Sequence, residues 1–275
     1  MEGVTNSPAG AADPPHPSEQ VLPVPAALRR WITGIGTVAV GRPLDDAFAH
    51  VPDTATKVVL REEANGRRDT LVVGPRTRAS YHTDPDERAV SCVQLRLQPG
   101  AVGPLFGVAA VDLVGRVIPL GDLPAGTARR LARELARVER DAVTARLAEL
   151  LPPAGDGSRE RLLRAAVEAL STRRHRTPAP VRDVARELAV SERQLRNLFA
   201  DGVGVSPKHY ARIDRVRHVL THAASAPWAE LAAATGYYDQ SHMTADFRTL
   251  MGVPPGAFFT GRLPRATPCR APRQG

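Results

Sequence analysis

Residues 191–207, SERQLRNLFADGVGVSP, return in altered form as residues 239–255, DQSHMTADFRTLMGVPP. Leu195, Phe199, Gly204 and Pro207 recur as Met243, Phe247, Gly252 and Pro255, each 48 positions later. Upstream, Val184-Ala185 recurs as Leu231-Ala232 after only 47 positions, so the second copy carries one extra residue in its turn. Self-similarity at a fixed period means two similar supersecondary units. Each copy reads as a short helix, a tight turn and a second helix, which is the outline of a helix-turn-helix.

Within the first copy, Ser191 and Gln194 form S-x-x-Q, a capping box that starts the second helix. Leu195 and Phe199 are four apart, share one helical face and pack inward. Arg193, Arg196 and Asn197 then point outward, with Gln194 beside them. Arginine suits the guanine edge, and asparagine or glutamine suits adenine, so this face has the chemistry of a base reader. In the second copy Asp239 is the expected cap, and Met243 and Phe247 are the buried pair. Gln240, Ser241 and Thr244 face outward there, with His242 at the edge. Between the copies lies SPKHYARIDRVRHVLT, residues 206–221, with Ser206 as N-cap and Pro207 at the first helical position. Tyr210, Ile213, Val216, Val219 and Leu220 form its apolar stripe. Such a helix is a rod of about 25 Å. Successive major-groove faces of B-DNA lie about 34 Å apart. The rod can therefore present two reading helices to neighbouring grooves, and the mismatch favours bent DNA.

Charge points to the same partner. The chain of 275 residues carries a formal charge of +8. From Ser158 onward there are 19 Lys+Arg against 10 Asp+Glu, whereas the preceding residues hold 18 against 19. The whole positive excess lies in the half with the repeat, where a polyanion would bind. Arg173, Arg174 and Arg176, in the loop before the first copy, are candidate phosphate contacts.

The string SERQLRNLFADGVGVSP, followed by GYYDQSHMTADFRTLMGVPP, closely resembles the AraC/XylS-type transcription regulators, and RIDRVRHVL resembles that family's linker-helix pattern. The resemblance covers roughly residues 160–259. It implies a seven-helix DNA-binding domain with both reading helices in major grooves. The matching base-reading positions are Arg193, Arg196 and Asn197 in the first unit, and Gln240, Ser241 and Thr244 in the second. Where the family often has Arg, this chain has Ala245, so the second unit is expected to position more than it reads.

The N-terminal half has a different texture. Residues 1–20 are rich in Pro, Gly, Ala and Ser and read as a disordered leader. Lys57–Leu60 and Thr70–Val73 are short apolar runs, Asn65-Gly66 between them suits a hairpin turn, and Val90–Leu97 alternates in part. These features predict a mainly antiparallel β domain, cupin-like or a small barrel, over residues 21–151. Leu131, Leu135, Val138, Val143, Leu147 and Leu150 then follow helical spacing, either padding that domain or forming the seam of a homodimer. Residues 152–158 read as a linker. Ser158 is the expected cap of a helix opening the DNA-binding domain, 159–262, and residues 263–275 read as a disordered tail. The fold class is α+β with a C-terminal all-α double helix-turn-helix. The stretch LRLQPGAVGPLFGVAAVDLVGRVIPLGDL resembles, less specifically, a sensory domain of actinobacterial members of the family.

Catalysis is not expected. There is no P-loop, nucleotide-binding glycine fingerprint or nucleophile elbow. Asp45-Asp46 and Glu62-Glu63 are adjacent and so diverge rather than converge. Two cysteines, Cys92 and Cys269, lack metal-ligand spacing, as do His50 and His82, and Cys92 reads as a small buried strand residue. No metal or cofactor is expected, and no apolar run approaches the ~20 residues needed to span a bilayer. The expected partners are double-stranded DNA at a promoter or operator and RNA polymerase, in the cytoplasm. The N-terminal half is either a sensor for a small-molecule effector or a dimerisation and protein-interaction module.

Overall fold

The computed structural model describes residues 19–39, 48–63, 66–83, 89–152, 157–172 and 177–268. In chain order the N-terminal half forms β1 (Glu19–Leu22), β2 (Ile32–Ala39), β3 (Phe48–His50), β4 (Lys57–Glu63), β5 (Arg68–Val73), β6 (Ser80–Thr83) and β7 (Ala89–Leu97). It continues with α1 (Val102–Phe106), β8 (Val117–Pro119), α2 (Gly126–Leu135) and α3 (Val143–Leu150). The C-terminal half forms α4 (Ser158–Leu170), α5 (Val181–Glu187), α6 (Glu192–Gly202), α7 (Pro207–His222), α8 (Trp228–Ala234), α9 (Gln240–Met251), α10 (Pro255–Phe259) and a short β9 (Thr267–Pro268).

Six strands pair antiparallel in the order β1-β2-β7-β4-β5-β8. Among the described residues the sheet is open, with β1 and β8 at its edges, rather than closed into a barrel. Its core face follows from strand alternation: on β7, Val93, Leu95 and Leu97 are buried, and the residues between them are not. That alternation corrects the expectation for Cys92, which is half-buried on the opposite face. The β4–β5 connection turns through Gly66, whose φ of 80° suits glycine, and Asn65 lies outside the described residues. The chain meets the sheet with its helical stripe. Leu131, Leu135, Val143, Leu147 and Leu150 are buried in the sheet's own core, and Val138 packs against it. The stripe read as either padding or a dimer seam is therefore spent inside the chain.

Helices α4 to α10 are the seven helices that the resemblance implied. Ser158 is the first residue of α4 rather than its cap; Gly157 holds the cap position without a side-chain bond. The expected tail also needs correcting. Leu263 and Ala266 pack against the second unit, and Thr267 pairs with His82 in a parallel ladder that completes a second sheet, β3-β6-β9. Two paired residues are too short a run to show a strand period in sequence. Likewise β1 begins at Glu19, inside the stretch expected to be a leader. Arg173, Arg174, Arg176, Asp45-Asp46 and Cys269 lie outside the described residues. No described helix is long and apolar enough to cross a membrane.

The two halves are not separate bodies joined by a string. Ala49 and Tyr81 of the small sheet are buried in the same cluster as Met243 and Phe247 of the second unit. A buried carboxylate ties the halves electrostatically. Asp53, 5% exposed, is gripped by Arg96 at 2.6 and 2.7 Å, by Lys57 at 3.0 Å and by Arg217 of α7 at 3.6 Å. Arg217 also donates to the Pro52 carbonyl at 3.1 Å. Burial pushes the Asp53 carboxyl up, but Arg96, Arg217 and Lys57 together outweigh burial and hold it well below the usual carboxylate range.

Removing the charge should loosen this joint. The cations are about a third exposed and can recover water, so Asp53→Asn is expected to cost about 2–3 kcal/mol in urea unfolding at pH 7. The folded-state pKa lies below the unfolded value of about 3.9. Asp53 therefore stabilises the fold fully above about pH 5 and loses that contribution as the pH falls toward the folded-state value. The Asn variant should show a flatter acid decline than the wild type. An Asn variant as stable as the wild type at pH 7 would show that the joint contributes nothing.

Candidate nucleic-acid interface

Both helix-turn-helix units are built on the same local geometry. In the first, the Ser191 hydroxyl accepts from the Gln194 N–H at 3.1 Å and the Gln194 side chain accepts from the Ser191 N–H at 2.8 Å, closing the capping box. In the second, Asp239 accepts from the His242 N–H at 2.7 Å. Leu195, Phe199, Met243 and Phe247 are all fully buried. The turn before the second helix of each unit needs a residue in the left-handed region: Ala189 with φ 53° in the first unit, Gly236 with φ 74° in the second. The N–H groups of Ala189 and Val190 bond to Arg186 and Ala185, as those of Gly236 and Tyr237 bond to Ala233 and Ala232. The copies stay in step through Tyr237, so the extra residue is Tyr238, immediately before the Asp239 cap.

The linker helix α7 starts as expected, with Ser206 accepting from the His209 N–H and Pro207 at its first position. Tyr210 at one end packs with the first unit, and Ile213, Val216 and Val219 pack with the second. Asp246 of α9 then fixes the second unit to α7. Arg212 donates to Asp246 Oδ1 from Nε at 3.1 Å and from Nη2 at 2.8 Å, and Arg215 lies 3.6 Å from Oδ2. Arg215 also stacks 4.5 Å above the Tyr237 ring. An acidic residue on the inward face of α9 was not foreseen, because its cations lie on α7 and no local pattern pairs them.

On the second helix of the first unit, α6, Arg193, Gln194, Arg196 and Asn197 are exposed together. Arg196 has a loose partner in Glu192 at 3.9 Å, both more than half exposed, a contact of little energy that DNA could displace. Gln194 is different: its amide oxygen is spent on the cap, leaving only the NH2 donors for a base. On its counterpart in the second unit, α9, Gln240 and Ser241 are exposed and Thr244 is half-buried. These three line a recess of about 440 Å³ with Ala245, Arg248 and Pro254. Sequence reasoning passed over Arg248. It continues the four-residue spacing of Gln240 and Thr244, one turn beyond Ala245. It also passed over Tyr238, which at 93% exposure stands clear of any packing beside the start of α9.

A second cavity, of about 320 Å³, lies between the halves. Thr54, Arg96 and Gln98 line it from the N-terminal half, and Arg164, Ser171 and Tyr210 from the C-terminal half. Tyr210 shares a 2.9 Å hydrogen bond with Ser171, and burial pushes its phenol up to about 12, so it stays neutral at physiological pH. Among the described residues no three His, Cys, Asp or Glu side chains gather as a metal site.

Residues 184–261 match the family model described as a helix-turn-helix domain. No curated protein matches the chain in sequence. Among solved structures, apo ToxT from Vibrio cholerae strain SCE256 is similar at 12% identity and TM-score 0.42, over 82% of this chain and 96% of that one. Wild-type ToxT of that strain bound to an unsaturated fatty acid is similar at 10% identity and TM-score 0.39, over 82% and 93%.

The two turns generate a paired expectation. An L-residue in the left-handed region costs about 1–2 kcal/mol, and glycine's extra chain entropy returns about 0.5–1. Ala189→Gly should therefore stabilise by up to about 1 kcal/mol in chemical denaturation. Gly236→Ala should destabilise by about 1–2 kcal/mol, since its new Cβ would also sit 3.4 Å from Thr177. Effects of the opposite sign would show that these turns are not strained as described.

Proposed function

We propose, on the premise that residues 184–261 are a helix-turn-helix domain of the AraC type, that this DNA-binding transcription regulator reads a promoter through two unequal helices in adjacent major grooves. The observation that carries the proposal is the pair of capped helices, α6 and α9, each burying its anchors and turning a polar face outward from opposite ends of α7. On α6, Arg193, Arg196 and Asn197 read bases, and the Gln194 NH2 adds a donor. On α9, Gln240, Ser241 and Thr244 line the recess, and Arg248 with Tyr238 supplies backbone contact in place of an arginine at 245.

The N-terminal half modulates this binding in the cytoplasm, where the regulated step is recruitment or exclusion of RNA polymerase. The cavity between the halves supports the effector reading, because a ligand there would touch the sheet, α4 and α7 together. A ligand that binds the folded state raises thermal stability with concentration. A protein-interaction module would not respond to any member of a metabolite panel.

The reading of α6 is tested by substitution. Arg196→Ala is expected to cost about 1–3 kcal/mol on the specific site and to relax preference at one base pair. Gel-shift titration against the site and single-base variants measures both effects. Unchanged affinity and preference would remove α6 from the role of reader.

A further inference from the structure

We propose that the N-terminal half sets the separation of the two reading helices by holding both at their C-terminal ends, with Tyr81 as a positioning residue for the second. The proposal rests on α6 and α9 being the readers. The last carbonyls of a helix have no partner within it and must find one elsewhere. The non-reading helices α5 and α8 end on their own turns, through the N–H groups of Ala189, Val190, Gly236 and Tyr237. The reading helices close part of their last turn the same way, with Val203 and Gly204 bonding to Phe199 and Gly252 bonding to Arg248. Their terminal carbonyls, however, go to the other half of the molecule. Gly202 of α6 accepts from the Gly100 N–H at 2.8 Å. In α9, Leu250 accepts from the Ala79 N–H at 2.8 Å and Met251 from the Tyr81 hydroxyl at 2.5 Å.

These contacts are built into packed surfaces. Tyr81 is 8% exposed and lies in the cluster that holds Phe247 and Met251. At the other end, a Cβ on Gly202 would meet the Gly100 backbone at 3.4 Å and the Leu163 side chain more closely still. Gly204, with φ 91°, leaves room for the Ala110 carbonyl, which a Cβ there would approach to 2.8 Å. Both grips leave the N-terminal ends of α6 and α9 exposed, where Arg193 and Gln240 stand. The readers are thus joined twice, by α7 within their own domain and by the N-terminal half across their far ends. Arg217 pins α7 to the same support through Asp53. With α7 alone, each unit could pivot about its end of the helix; the second support fixes the separation.

The test uses full-length protein and DNA selected by it from a random pool. The half-site of the first unit is the one whose preference Arg196→Ala relaxes. Tyr81→Phe removes only a hydroxyl and keeps the ring in its core. It is expected to bind the selected site about fivefold more weakly, the scale of one hydrogen bond. Its penalty for a one-base-pair change in half-site spacing should shrink by a similar factor, with affinity for an isolated first half-site unchanged. Gly202→Ala should do the reverse, weakening the first half-site and sparing the second. Wild-type affinity and spacing preference in Tyr81→Phe would overturn the proposal. Equal weakening at both half-sites would overturn it as well, since a general loss of stability acts on both. If the wild type selects no sequence at all, the DNA-reading premise fails, and the positioning role goes with it.

Discussion

One apolar stripe on α7 serves two cores at once. Tyr210 closes the cluster around Leu195 and Phe199, while Ile213, Val216 and Val219 close the cluster around Met243 and Phe247. Helices as short as α5, α6, α8 and α9 are marginal in isolation, so their stability comes from burying an apolar face. Each large side chain fully buried this way contributes roughly 1.5–3 kcal/mol. Because the stripe is shared, neither unit can detach from α7 without opening a core. The length of α7 sets the coarse spacing of the two outward faces, and on the proposal above the N-terminal half fixes their final separation.

On that common frame the two units have diverged in what they show. The first presents guanidinium and amide groups at the exposed start of α6. The second keeps the anchors but turns a carboxylate, Asp246, inward onto Arg212 and Arg215. Those contacts fix how α9 is rotated on α7, and removing one partner of such a buried group is costly. Its outward face carries less charge, with Arg248 and the protruding Tyr238 at its margins. The extra turn residue thus coincides with the most exposed large hydrophobic side chain of the unit. On the proposed reading, one unit discriminates and the other holds position.

The parts that were legible in the sequence are those fixed by local rules. Four repeated anchors, the Ser191-Gln194 box, the Asp239 and Ser206 caps and the α7 stripe depend on spacing within a turn or two of helix. The strand alternation on β7 gave the sheet, and the stripe on α2 and α3 gave its covering helices. Contacts between distant segments were not legible. Asp53 meets Arg217 across 164 positions of chain, and Tyr81 meets Met251 across 170. Neither residue type marks its partner. The pairing of Thr267 with His82 is hidden for the same reason, and it turned an expected tail into part of a sheet. The polar residues expected on the outer face of α6 are exposed, but Gln194 serves its cap first, Thr244 of α9 is half-buried, and Arg248 lay one turn past the motif.

The central claim is that two helices joined by α7 engage successive major grooves on one side of the duplex. Hydroxyl-radical footprinting of the full-length protein on its selected site tests this most directly. The account expects two protected clusters about 10 base pairs apart on the same face of the DNA. A single protected cluster, or two on opposite faces, would contradict it.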